Sequence, residues 1–177
     1  MSANPIHNPS ASGENELIIT RLLAAPRDLV YAAWTEPQHL DQWQNAPQEM
    51  TVTVEKSDIR TGGEFRIVMR EPNGTEHRLQ GKYLEVVTPE RLVFTHTWLS
   101  VEGKPGPETL VTIAFAERGN QTELTLRQTG FTSADARDGH SYGWTSTFDR
   151  LADYLATLNH SSLKPATDSS QRMKEKK

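Results

Sequence analysis

The stretch Gly143–Leu158, GWTSTFDRLADYLATL, decides how the rest of the chain is read. Trp144, Phe148, Leu151, Leu155 and Leu158 recur at alternating steps of four and three, which at about 3.6 residues per turn places them on one helical face. The opposite face carries Thr145, Asp149, Arg150, Asp153 and Thr157. One wet side and one dry side exclude a membrane span or a coiled-coil seam and require a cover for the dry side. Two readings remain: a terminal helix that closes a solid core, or a helix gripped by a curved sheet with a ligand cavity between them.

The cover is predicted upstream. From Met50 to Gln128 the hydrophobic period is two rather than 3.6. Met50, Val52 and Val54 share one face, as do Phe65, Ile67 and Met69, then Leu92, Phe94, His96 and Trp98, then Val111, Ile113 and Phe115, and finally Leu124, Leu126 and Gln128. Arg60–Gly63, Pro72-Asn73-Gly74, Thr88-Pro89-Glu90 and Arg118-Gly119-Asn120 supply turns, and Asn-Gly accepts the positive φ that tight hairpins need. VEGKPGPE at 101–108 reads as a loop. Short connections make the run an antiparallel meander.

Before it, Glu16–Ala24 is rich in branched apolar residues and reads as a further strand, ended by Pro26. A helix carrying Leu29, Val30, Ala33 and Trp34 follows, and Pro37 breaks it and begins a second, PQHLDQW, whose Leu40 and Trp43 fold back onto the same core. Met1–Gly13 holds almost nothing to bury and is expected to be a disordered lead. Residues 160–177 read as a disordered basic tail, and 14–159 as one domain.

Composition narrows the function. The chain of 177 residues is 35% hydrophobic, enough for a single core. With 19 basic and 23 acidic residues the net charge is −4, and no basic cluster interrupts the expected domain, so nucleic acid is not an expected partner. Cysteine is absent, which removes disulfides, zinc-thiolate sites and thiol catalysis. Neither a secretory signal nor an apolar run of about 18 residues is found, so a cytoplasmic location without membrane contact is the expectation. His7, His39, His77, His96, His140 and His160 lack metal-ligand spacing, and nucleophile-elbow, zinc-protease, phosphate-loop and dinucleotide motifs are missing. No catalytic residue, metal or cofactor is assigned. Size leaves a homodimer open.

Four matches in order carry a family resemblance: AAPRDLVYAAWTEPQHLDQW (24–43), RTGGEF (60–65), GKYLEVVTPERLVFT (81–95), and Gly143-Trp144 through Leu151 with Tyr154-Leu155. Over roughly residues 14–159 the chain resembles the homologues of the activator of the ninety-kilodalton heat-shock protein's ATPase, within the START-like, Bet v-like (SRPBCC) superfamily. The resemblance implies an α+β helix-grip fold: a curved antiparallel sheet of about seven strands wrapped around a long C-terminal helix, with two short helices after the first strand. It also implies a cavity between helix and sheet able to take an apolar small molecule, as in a carrier, sensor or stress-related binding module. The residues expected to line it are Trp43, Phe65, Ile67, Met69, His77, Phe94, His96, Trp98, Gln128, Trp144 and Phe148. Buried polar groups usually have an internal partner, so His77, His96 and Gln128 are also readable as satisfied by neighbours. A cyclase-like enzyme using His96 as acid or base is the alternative. Chaperone activation is disfavoured, because only a short polar segment precedes the first strand.

Overall fold

The computed structural model describes residues 15–43 and 50–162, without the side chains of Asp41 and residues 159–162. The expected lead, and the tail beyond 162, lie outside the described residues. Seven strands form one antiparallel sheet: β1 (Glu16–Leu23), β2 (Thr51–Ser57), β3 (Glu64–Arg70), β4 (Glu76–Val87), β5 (Arg91–Leu99), β6 (Thr109–Arg118) and β7 (Gln121–Thr129). Their spatial order is β1-β7-β6-β5-β4-β3-β2. The first two strands therefore sit at opposite edges, and the helices α1 (Arg27–Thr35) and α2 (Pro37–Trp43) belong to the connection between them. The alternation predicts this antiparallel meander, and the helix-grip architecture is the one that the family resemblance implies.

Local chemistry sets the boundaries. Pro26 occupies the N-cap of α1 at φ −66°, and Pro37 opens α2, both places where a missing N–H is no loss. At the β3–β4 hairpin Gly74 takes φ +89° and the Asn73 side chain accepts the Thr75 N–H at 2.8 Å. Register shifts at Val54/Lys56 in β2 and Tyr83/Glu85 in β4 are irregularities of the kind that bend a sheet. Gly81 lies opposite Phe65. A Cβ there would stand 1.9 Å from the Thr95 carbonyl oxygen and 2.4 Å from the Phe65 ring, so the absent side chain is what lets the ring lie across β4.

The long helix, α3 (Ala134–Ser162), corrects the expectation at its start. It begins nine residues before Gly143. The segment ADARDGHSY carries no apolar stripe and contains Gly139, so periodicity could not mark it as helical; Ser133 Oγ accepts the Ala136 N–H at 3.1 Å and caps this end. Farther along, Phe148, Leu151 and Leu155 are 0–1% exposed, as the stripe requires. They join Leu17, Ile19, Val111, Ile113, Leu124 and Leu126 in the core. Asp149 pairs with Arg21 of β1 at 2.5 Å, and Tyr154 Oη meets His39 Nδ1 of α2 at 2.6 Å. No helix among the described residues is long and apolar enough to cross a membrane.

Candidate functional site

Two adjoining cavities lie between the sheet and the helices. The first, of about 120 Å³, sits under the helix pair: Trp34, Leu40 and Trp43 face Phe65, Ile67, Met69, Leu79, Tyr83 and Phe94, with Val52, Val54 and Ser57 from the edge strand. The second, of about 560 Å³, lies under the first half of α3 and is lined by Met50, Trp98, Asp135, His140 and Tyr142 among others. Val52, Met69, Leu79, His96, Trp144, Thr147 and Arg150 line both, so the two are parts of one hollow.

Aromatic packing builds the walls. Trp34 lies 5.5 Å from Trp43 and stacks on Trp144 at 6.1 Å, with ring planes 25° apart in the latter pair. Phe65, Tyr83 and Phe94 form a triangle with centroids 5.5–5.7 Å apart. Such offset and edge-on contacts contribute about 0.5–1.5 kcal/mol each beyond burial. Trp43 is pinned by its indole N–H donating to the Ala33 carbonyl at 2.7 Å. Burial pushes the Tyr83 phenol up from its ordinary pKa, so it stays a neutral hydroxyl.

A directed chain of hydrogen bonds sets the position of Trp144. Its indole N–H donates to Gln128 Oε1 at 2.8 Å, Gln128 Nε2 donates to Thr109 Oγ1 at 2.8 Å, and Thr109 donates to the His96 carbonyl at 3.1 Å. Gln128 is fully buried. Another pair sits beside it: Trp98 Nε1–H donates to His140 Nε2 at 3.2 Å, and His140 Nδ1 lies 2.7 Å from the Ala136 carbonyl. Those two contacts fix the neutral Nδ1–H tautomer of His140, since a carbonyl accepts and an indole donates.

His96 and Arg150 are different. His96 is 4% exposed, and burial first, then the nearby His140, push its pKa down to about 3, its own backbone opposing weakly. It is a neutral imidazole at pH 7. Its Nδ1 and the Arg150 Nε are buried without a hydrogen-bond partner among the described residues. Burial also lowers the Arg150 pKa.

Of the residues expected from sequence, Trp43, Phe65, Ile67, Met69, Phe94, His96 and Trp144 line the first cavity and Trp98 the second. Three do not. His77 is held by Glu71 at 2.6 Å with its side chain 42% exposed; it shares the parity of Leu79 and stands opposite Met69, but it lines neither cavity. Gln128 is consumed by its two hydrogen bonds. Phe148 lies beneath the hollow, 5.9 Å from Trp34 and 6.0 Å from Trp144, and supports the wall. Sequence reasoning missed Trp34, Leu40, Leu79 and Tyr83, whose apolar signals were present but whose placement depended on where the helix pair lands. It also placed Arg150 on the wet face. Arg150 follows Thr147 by one three-residue step along the flank of the stripe, and a long flexible stem lets such a head group reach a neighbouring hollow.

The family profile described as Activator of Hsp90 ATPase homolog 1-like protein matches residues 24–156. The chain belongs to that family. The AHSA1-like family lies within the SRPBCC superfamily, in agreement with the helix-grip sheet. A crystal structure of a Chromobacterium violaceum protein is 27% identical, with 80% of this chain and 97% of that one covered and a TM-score of 0.70. The AHSA1 protein from Silicibacter pomeroyi is 24% identical over 81% of this chain and 99% of its own, with a TM-score of 0.72. A Mycobacterium smegmatis protein reaches 0.72 at 21% identity, covering 89% of this chain and 99% of its own. The last two bear on the fold alone. No curated protein matches the chain.

Proposed function

We propose that this AHSA1-like chain is a binding module for an apolar small molecule held in the hollow between the sheet and α3, acting as a cytoplasmic carrier or sensor. The observation that carries the reading is the aromatic hollow itself: concave, walled by Trp34, Trp43, Phe65, Phe94 and Trp144, with few polar groups. Ligand sites have this make-up. The enzyme alternative draws little from His96, because an imidazole with a pKa near 3 is a weak general base at neutral pH.

Native mass spectrometry of freshly purified protein, followed by denaturation and identification of released compounds, tests occupancy. A thermal-shift panel of aromatic and lipid-like compounds tests binding. A fitting compound should stabilise the fold by about 2.7 kcal/mol at a hundredfold excess over its Kd. No co-purified compound together with a flat panel would overturn the reading.

A further inference from the structure

We infer that the ligand is an organic acid, its hydrocarbon part among the aromatic walls and its anionic group on the guanidinium of Arg150 beside His96. The inference rests on the binding-module reading and names the chemical class that the same hollow selects.

The lining of the cavity under the helix pair contains one charged side chain among the described residues, Arg150, and no carboxylate. A guanidinium stays protonated under all ordinary conditions. Arg150 is part-buried, and a guanidinium set against an apolar wall without a counter-ion gives up part of its hydration with little to offset it. The hydrogen bond found for its head group is a single one, from Nη2 to Thr147 Oγ1 at 3.3 Å. No ion pair to Arg150 occurs among the described residues, and its Nε is buried with nothing to donate to. Arg27 also has a buried unpartnered Nε, but its guanidinium reaches Glu117 at 3.8 Å. Arg150 has no such neighbour among the described residues.

His96 supplies the independent observation. It lines the same two cavities, is 4% exposed, and leaves Nδ1 unpartnered. Among the described residues, Gln128, Thr109, Trp144, Trp98 and His140 have hydrogen-bond partners. Of the three buried unpartnered side-chain atoms, the two outside Arg27 belong to residues that line the part shared by both cavities. A carboxylate accepts from both: from the Arg150 fork, and from His96 as an Nδ1–H tautomer. Charge-assisted hydrogen bonds of this kind are roughly twice as strong as neutral ones. Asp135 lines the cavity under α3 but not the one under the helix pair, so no acidic side chain lines the part shared by both among the described residues. A neutral ligand of the same shape would bury the apolar surface equally and leave the guanidinium unpaired, so the acid group is where selectivity arises.

Isothermal titration with 2-naphthoate and 2-naphthamide, which match in ring size and differ in charge, tests this. The parent protein should bind the acid at least tenfold more tightly than the amide. Arg150→Gln should bring the two within twofold, chiefly by weakening the acid, and an unfolding transition like the parent's shows that the hollow is still folded. If the glutamine variant does not fold, Arg150→Lys, which keeps a stem and a point charge but loses the fork, should reduce the preference at least threefold. Equal affinities in the parent, or a preference that survives substitution, would overturn the acid inference and leave the binding-module reading standing. Binding of neither probe would overturn the acid inference and leave the binding-module reading to the co-purification and thermal-shift tests.

Discussion

The two halves of the sheet meet the helices differently. On β1, β7 and β6, Val111, Ile113, Leu124 and Leu126 are 0% exposed beneath Phe148 and Leu151, and Asp149 pairs with Arg21 at that edge. On β2 and β3, Val52, Val54, Ile67 and Met69 carry the same alternating pattern and the same kind of side chain, yet remain half-buried and line a hollow. Composition does not separate the halves. The difference lies in which strands α3 presses upon, so an apolar inward face is necessary for a core but does not make one. A single sheet thus supplies a close-packed anchor on one side and the wall of a hollow on the other.

The largest effect should come from cutting into the anchored half. Phe148→Ala should lower unfolding free energy by about 3–5 kcal/mol, read as a urea midpoint shift at constant slope. A loss below about 1 kcal/mol would mean that this half is not close-packed.

Next in size is the pH response of His96, which stands on the border between the halves. With a folded pKa of about 3 against about 6.5 unfolded, the unfolded chain gains a proton that the folded one refuses. Stability is therefore complete above the unfolded pKa and falls as pH drops toward the folded one, by roughly 2 kcal/mol between pH 7 and pH 5. Subtracting the same profile for His96→Gln isolates the residue from the other histidines. The carboxylates with lowered pKa, Glu64, Glu71 and Glu76, lose their contribution at lower pH. A difference profile that is flat over this window would show that the floor of the hollow is wet and that His96 titrates normally.

The smallest effect belongs to the open half. Met69→Ala should cost about 1 kcal/mol or less, because its side chain is already in contact with open space, while changing the affinity of aromatic probes. A full core loss there, equal to that of a buried methionine, would erase the distinction between the halves.

Most of the fold was legible because alternation survives through most of the sheet: Phe65, Ile67 and Met69, or Leu92, Phe94 and His96, share one face, and the register shifts in β2 and β4 interrupt it only locally. The turn at Asn73-Gly74 and the breaks at Pro26 and Pro37 were equally legible, since each residue has a backbone reason to be there. The start of α3 was not. Ala134–Tyr142 helps to roof a hollow rather than a core, so no apolar period was needed and none is present. The site was legible only in its strands. Inward parity puts Phe94 and His96 on the wall of the hollow, but it also proposed His77, which turns to Glu71 instead, and Gln128, whose partners Thr109 and Trp144 come from other elements. Arg150 was invisible as a site residue because a charged side chain on a helix is ordinarily solvated, and only tertiary placement shows that this one faces an apolar wall.

The tryptophans have one more consequence. The chain has four, and Trp34, Trp43, Trp98 and Trp144 all line one or both cavities, whereas the close-packed half holds none. The tryptophan emission of the native protein, excited selectively at the red edge, therefore originates at the walls of the hollow. A colourless ligand that displaces water from those indoles will shift the spectrum to shorter wavelength without a label, and an ultraviolet-absorbing aromatic ligand will quench it by energy transfer at contact distance. The protein carries its own optical gauge of occupancy, and intensity loss during titration reports on the hollow and not on the rest of the core.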